Sequence, residues 1–248
     1  MRSQNFRIML FILTGALLLS ASSSYSETAE EYYNRGNACA NQGDFTQAIS
    51  DYTKSIELDP GHAETYCSRG GAYRMQGNFP QAISDFTKAI EIEPNYAGAY
   101  YNRGIAYDDQ GDPAQAISDC TRAIEIDPND AEAYNSRGTV YINREDYAKA
   151  VSDLNKALEI EPNYVDAYCN RGIAYTGQGD LTQAVSDFSK ALEIYPNYAG
   201  AYYNRAVAYF GQKDFAKAWE DVHKAEGLGH PGNPAFLDDL KKASGKDK

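Results

Sequence analysis

The sequence predicts an all-α solenoid, one array of helix–turn–helix hairpins, and three observations predict it. Proline recurs every 34 residues, at Pro60, Pro94, Pro128, Pro162 and Pro196. Between those prolines the same residue types return at the same offsets, and their spacing is that of helix faces. Glycine, aspartate, proline and asparagine fall where helices begin and end. With the prolines at repeat position 32, the chain divides into 29–62, 63–96, 97–130, 131–164, 165–198 and 199–232, followed by 233–248. A length of 248 residues would otherwise suggest one or two globular domains, but a period of this size means a solenoid.

Residues 1–26 stand apart from the array. Arg2 and Arg7 make a basic start, residues 8–19 are apolar, and residues 20–26 are small and mostly polar, the pattern of a cleavable secretory signal peptide. The apolar run is shorter than the roughly 20 residues that cross a bilayer, so a retained anchor is the lesser reading. Cleavage is expected after Ser26, which removes two arginines and takes the formal charge from −12 to −14. The expected location is periplasmic or secreted. So acidic a chain lacks the basic surface that nucleic acid requires.

Within each unit the first helix is marked by tyrosine at position 4 (Tyr32, Tyr66, Tyr100, Tyr134, Tyr168, Tyr202). Glycine follows at position 8 (Gly36, Gly70, Gly104, Gly138, Gly172, then Ala206), and tyrosine again at position 11 from Tyr73 to Tyr209. The turn is glycine then aspartate, as at Gly43 and Asp44. The aspartate with a glutamine three residues on (Asp44 with Gln47, Asp112 with Gln115, Asp180 with Gln183) predicts a capping box. The second helix carries alanine at position 20 in all six units (Ala48, Ala82, Ala116, Ala150, Ala184, Ala218). Pro80 and Pro113 suit its first turn. The asparagine after each terminating proline (Asn95, Asn129, Asn163, Asn197) is expected to cap the next helix. Residues 234–242 read as a last short helix, with Phe236, Leu237 and Leu240 covering the end of the array.

Arginine at position 7 (Arg35, Arg69, Arg103, Arg137, Arg171, Arg205) is placed to look inward, where an unpaired charge is costly. Positions equidistant from a hairpin turn face each other, and position 23 is aspartate every time: Asp51, Asp85, Asp119, Asp153, Asp187 and Asp221. Six ion pairs within the hairpins are therefore expected, and an arginine row that binds acidic ligands is the alternative. A basic residue at position 26 with glutamate at 29 (Lys54 with Glu57, Lys88 with Glu91) reads as a solvated outer face.

These features resemble the tetratricopeptide repeat (TPR) family, whose pattern has an aromatic at 4, small residues at 8 and 20, an aromatic at 11 and proline at 32. The resemblance covers residues 29–232. It departs from the family at position 4, where tyrosine replaces tryptophan, and at position 7, where arginine replaces leucine. It implies a right-handed superhelix whose first helices line a concave groove. The groove residues it implies are Tyr33, Tyr101, Asn135 and Tyr203 at position 5 and Asn37, Ile105, Ile173 and Val207 at position 9. Position 12 adds Arg74, Asp108, Ile142 and Phe210. These positions vary between units while the packing positions do not, which suggests recognition of an asymmetric partner. Arg74 is the one groove cation, so a clamp for acidic peptide ends is not expected.

The expected function is an exported adaptor or scaffold that binds a protein or peptide segment with apolar anchors and basic flanks. A self-assembling scaffold, or an accessory subunit of an envelope enzyme or secretion complex, is the alternative, and a homo-oligomer would use the solenoid ends. No catalytic grouping, metal site or cofactor is expected: His62, His223 and His230 have no ligand spacing. Cys39, Cys67, Cys120 and Cys169 read as packed thiols, with Cys39 and Cys67 the one pair near enough to test.

Overall fold

A computed structural model describes residues 27–245. They form thirteen helices and, among the described residues, no strand. Six hairpins follow one another: α1 (Ala29–Asn41) with α2 (Phe45–Leu58), α3 (Ala63–Met75) with α4 (Phe79–Ile92), and α5 (Ala97–Gln110) with α6 (Pro113–Ile126). Then come α7 (Ala131–Asn143) with α8 (Tyr147–Ile160), α9 (Val165–Gln178) with α10 (Leu181–Ile194), and α11 (Ala199–Gly211) with α12 (Phe215–Gly227). α13 (Pro234–Ser244) closes the array. The predicted signal peptide lies outside the described residues.

The turn inside each hairpin needs one residue with left-handed backbone. Glycine supplies it at Gly43, Gly77, Gly111 and Gly179, with φ between 75° and 87°. Glu145 and Lys213 hold the same place with φ of 60° and 63°. A side chain there costs about 1 kcal/mol. Glu145→Gly should therefore stabilise the chain by about that much in urea denaturation, although glycine elsewhere loosens it.

The helix starts differ from the sequence reading in two ways. Asp44, Asp112 and Asp180 accept the N–H of Gln47, Gln115 and Gln183 at 3.0–3.2 Å, but the glutamines do not reach back. Gln47 instead donates to Asp51 at 3.0 Å, and the reciprocal box forms at Thr28 and Glu31. The expected asparagine caps are not made. The turn uses both proline and asparagine, so the next residue becomes the N-cap: Tyr96, Asp130, Tyr164 or Tyr198. Of these four, Asp130 caps with its side chain, accepting from Ala133 at 3.0 Å.

Position 8 is small because a large side chain from the second helix lies across it. A Cβ at Gly36, Gly70 or Gly172 would fall within 2.8 Å of the ring of Tyr52, Phe86 or Phe188. Those rings are 2% exposed or less and form the centre of their hairpins.

The six expected ion pairs are present. Arg69, Arg103, Arg137, Arg171 and Arg205 each bind Asp85, Asp119, Asp153, Asp187 or Asp221 through Nε and Nη2 at 2.7–2.9 Å. Nη1 of each reaches back to the preceding hairpin, onto Thr53, Thr87, Thr121, Asn155 or Ser189 at 2.7–3.0 Å. Arg35 has no preceding hairpin among the described residues; it binds Asp51 at 2.7 Å and turns its other nitrogen to Glu27. Each guanidinium also lies 4.7–5.9 Å from the tyrosine three residues before it. With its donors so engaged, the row is a fixture between hairpins rather than a site for acidic ligands. On the outer face Lys88 pairs with Glu91 at 2.9 Å, while Lys54 lies over the Tyr32 ring instead of pairing with Glu57.

Successive odd-numbered helices touch one another, from α1 on α3 through α9 on α11, whereas even-numbered helices make no comparable contact among the described residues. The odd row is therefore the inner, concave row. α13 runs two residues past its expected end and seals the last hairpin. Leu240 is 0% exposed among Ala206, Ala218, Trp219 and Val222, and Trp219 donates to Ser244 at 3.0 Å.

Candidate functional site

The inner row carries positions 5, 9 and 12 of the odd helices, but packing claims several of the expected groove residues and buries Cys67 and Cys169 at position 5. Position 5 varies in step with position 34, which is the N-cap of the next helix in the first five units. Where position 5 is tyrosine (Tyr33, Tyr101, Tyr203), position 34 is His62, Asp130 or Gly232; where it is Cys67, Asn135 or Cys169, position 34 is Tyr96, Tyr164 or Tyr198. One tyrosine thus stands at each junction, on one side of it or the other. Tyr96 packs with the cluster that holds Cys67, and Tyr198 with the one that holds Cys169. Tyr33 meets His62 edge-on at 5.4 Å. Variation at position 5 thus follows an exchange between two packing partners.

Other expected groove residues are also engaged. Asn37 accepts from the Tyr52 hydroxyl at 2.7 Å, and Asn135 from Asn170 at 2.9 Å. Tyr101 packs on Ile124 and Ala133, and burial raises its phenol above its ordinary value. Arg74 pairs with Asp109 of α5 at 3.1 Å, so the groove cation is neutralised by its neighbour. Tyr203 and Phe210 lie against the C-terminal segment. Tyr203 stacks on His230 at 4.5 Å and accepts from the Asn233 N–H at 3.2 Å; Phe210 meets Phe236 edge-on at 5.5 Å. They hold the cap.

The remaining residues line two cavities. Ile142, Ile173 and Val207, from three successive inner helices, converge with Tyr147, Thr176, Gly177, Phe188 and Asn204 around about 250 Å³. Ile105 and Asp108 share about 170 Å³ with Gly104, Cys120, Ser136, Thr139 and Val140. Sequence reasoning missed Gly177 and Tyr147. A Cβ on Gly177 would overlap the Tyr147 ring, and one on Gly211 would come within 2.7 Å of Leu181. Position 13 reads Asn41, Met75, Asp109, Asn143, Gly177, Gly211, and that change to glycine was the available signal. It lets the preceding hairpin's side chain fold into the inner wall.

Asp108 is half-buried, and burial with the charge of Asp109 raises its carboxyl above its ordinary value. No hydrogen bond or ion pair of its side chain is formed among the described residues. Tyr33 lines a third cavity, of about 290 Å³, with Glu30, Asp59, His62 and Glu64 at the N-terminal edge. No group of three or more His, Cys, Asp or Glu side chains among the described residues is arranged to hold a metal ion.

All four thiols are unpaired with one another, including Cys39 and Cys67. Burial pushes Cys67 up to about 11 and Cys120 and Cys169 up to about 12, which keeps them protonated. Cys39 is only partly covered. Ellman's reagent at pH 8 should thus modify Cys39 first, and the other three at least ten times more slowly until urea opens the fold. Four equally fast thiols would contradict this packing.

Tetratricopeptide repeat models match residues 29–62, 97–130 and 165–198, and again residues 51–84, 120–152 and 188–220. A TPR repeat model matches 70–111 and 138–179. The MamA crystal structure is 34% identical over 70% of this chain and 94% of its own, with a TM-score of 0.60. YrrB, described as a TPR protein with an unusual peptide-binding site, is 26% identical over 72% of this chain and 92% of its own, TM-score 0.57. A tetratricopeptide repeat protein from Parabacteroides merdae shares the fold at 22% identity, over 88% of this chain and 87% of its own, TM-score 0.71. No curated protein matches the chain. Together the models run without a break from residue 29 to residue 220, and the chain belongs to the tetratricopeptide repeat family.

Proposed function

We propose that the chain is a protein-interaction scaffold that holds a segment of a partner protein along its inner face, without catalysis or cofactor. One observation carries the reading: the cavity around Gly177. Three branched apolar residues from three hairpins converge there, and Gly177 leaves room for the Tyr147 ring that forms one side of the space. An apolar space open on the inner face is a place where a partner's side chain can be buried. The peptide-binding site described for YrrB gives the reading a precedent in a chain of similar fold. The basic and apolar segment of residues 1–26 supports export, and so a partner in the envelope or outside the cell. No helix among the described residues is long and apolar enough to cross a membrane.

The test is selection of displayed random 12-residue peptides on the full chain. Binders should lose at least tenfold in affinity against Gly177→Leu, which drives the Tyr147 ring out of its place in the cavity wall, and against Ile173→Ser, which makes the cavity polar. Thermal melts establish that each variant is folded. Binders indifferent to both substitutions would remove the groove from the function.

A further inference from the structure

The Gly177 cavity has a polar neighbour, and the two together specify more than an apolar anchor. The cavity at Asp108 lies one step towards the N-terminus, between α5 and α7, while the Gly177 cavity spans α7, α9 and α11. Its wall offers the Asp108 carboxylate as an acceptor; the Thr139 hydroxyl beside it already donates to the Asn135 carbonyl at 3.0 Å and accepts from Asn170 at 3.2 Å. The carboxylate has no cation of its own, because Arg74, the groove cation, is bound to Asp109. A half-buried carboxylate without a partner is held at a cost that a cationic ligand would relieve. The formal charge of the whole chain, −12, draws a basic partner in the same direction.

Neighbouring helices pack roughly 8–10 Å apart, so centres separated by one and a half hairpins stand roughly 12–15 Å apart. Extended chain covers that in about four residues. We propose that the groove reads a two-part segment: an aliphatic or aromatic side chain in the Gly177 cavity and, about four residues away, a basic side chain whose cation sits on Asp108. This rests on the groove reading above and adds the partner's charge and spacing to it.

The same displayed peptides test it. Selected sequences should share a lysine or arginine three to five residues from an apolar anchor, at about the spacing given by the extended rise. Replacing that lysine with norleucine, or Asp108 with asparagine, should each weaken binding about tenfold at low salt, and the two together little further. The difference should shrink as salt is raised. Binders without a basic residue that are still lost on Gly177→Leu overturn the two-part reading and leave the groove standing. So does full affinity for Asp108→Asn. Binders that ignore Gly177→Leu and Ile173→Ser, or a selection that yields none, overturn both.

Discussion

Asp153→Ala should lower stability by about 3 kcal/mol, whereas Arg137→Met combined with Asp153→Leu should cost less than half of that. Arg137 and Asp153 have side chains 16% and 9% exposed, and they share two hydrogen bonds of 2.7 and 2.8 Å. Removing the aspartate leaves the guanidinium in a place from which water is nearly excluded. It keeps one bond, to Thr121 at 2.8 Å, and the face of Tyr134. The double substitution removes the charge along with its partner and puts apolar volume in its place. Urea denaturation of the three proteins decides the matter. Equal losses in the single and double variants would mean that the charge pairing does not hold α7 to α8.

The second large effect concerns the cap. Deleting residues 233–248 takes Leu240 out of a site where it is fully buried and uncovers Trp219 and Val222. Complete burial of one such side chain is worth about 2–3 kcal/mol, and partial burial of Phe236 and Leu237 adds to it. The truncated chain should aggregate or lose its sixth hairpin. Leu240→Ala, a milder change, should cost about 3 kcal/mol. Trp219 is the one tryptophan of the sequence and its indole N–H is bonded to Ser244, so its emission reports cap release directly. Gel filtration supplies the opposing outcome: a clean, folded monomer after deletion would make α13 an interface element instead of a cap.

Much of the fold was legible because a repeated sequence states each rule several times. Pro60 to Pro196 gave the period, Gly36 and its equivalents the close approach of the two helices, and Arg137 with Asp153 the register. The capping asparagines were misread by one residue, since Pro94 and Asn95 both enter the turn and Tyr96 is the N-cap of α5. The site was less legible. A groove position in one helix does not reveal what the next helix lays over it: Tyr203 and Phe210 look open until α13 packs on them. The exchange of rings between positions 5 and 34 hid in plain view, because its two members lie 29 residues apart in sequence. Gly177 carries no mark beyond the change of residue type at position 13, though its effect is to shape a wall.

The backward reach of the arginines has a consequence for how such a chain changes over generations. Each arginine stands sixteen residues from its aspartate, and all but Arg35 stand sixteen from the hydroxyl or amide they grip in the preceding hairpin. Excising residues 97–130 would bring Arg137 onto Thr87 at that same interval, and copying a unit would regenerate the joint unaided. Heredity can therefore lengthen or shorten the array in whole steps without inventing a new seam. The cavities do not share that freedom, because each draws on residues that occur in one copy only. Length is cheap to alter in this protein, and specificity is not.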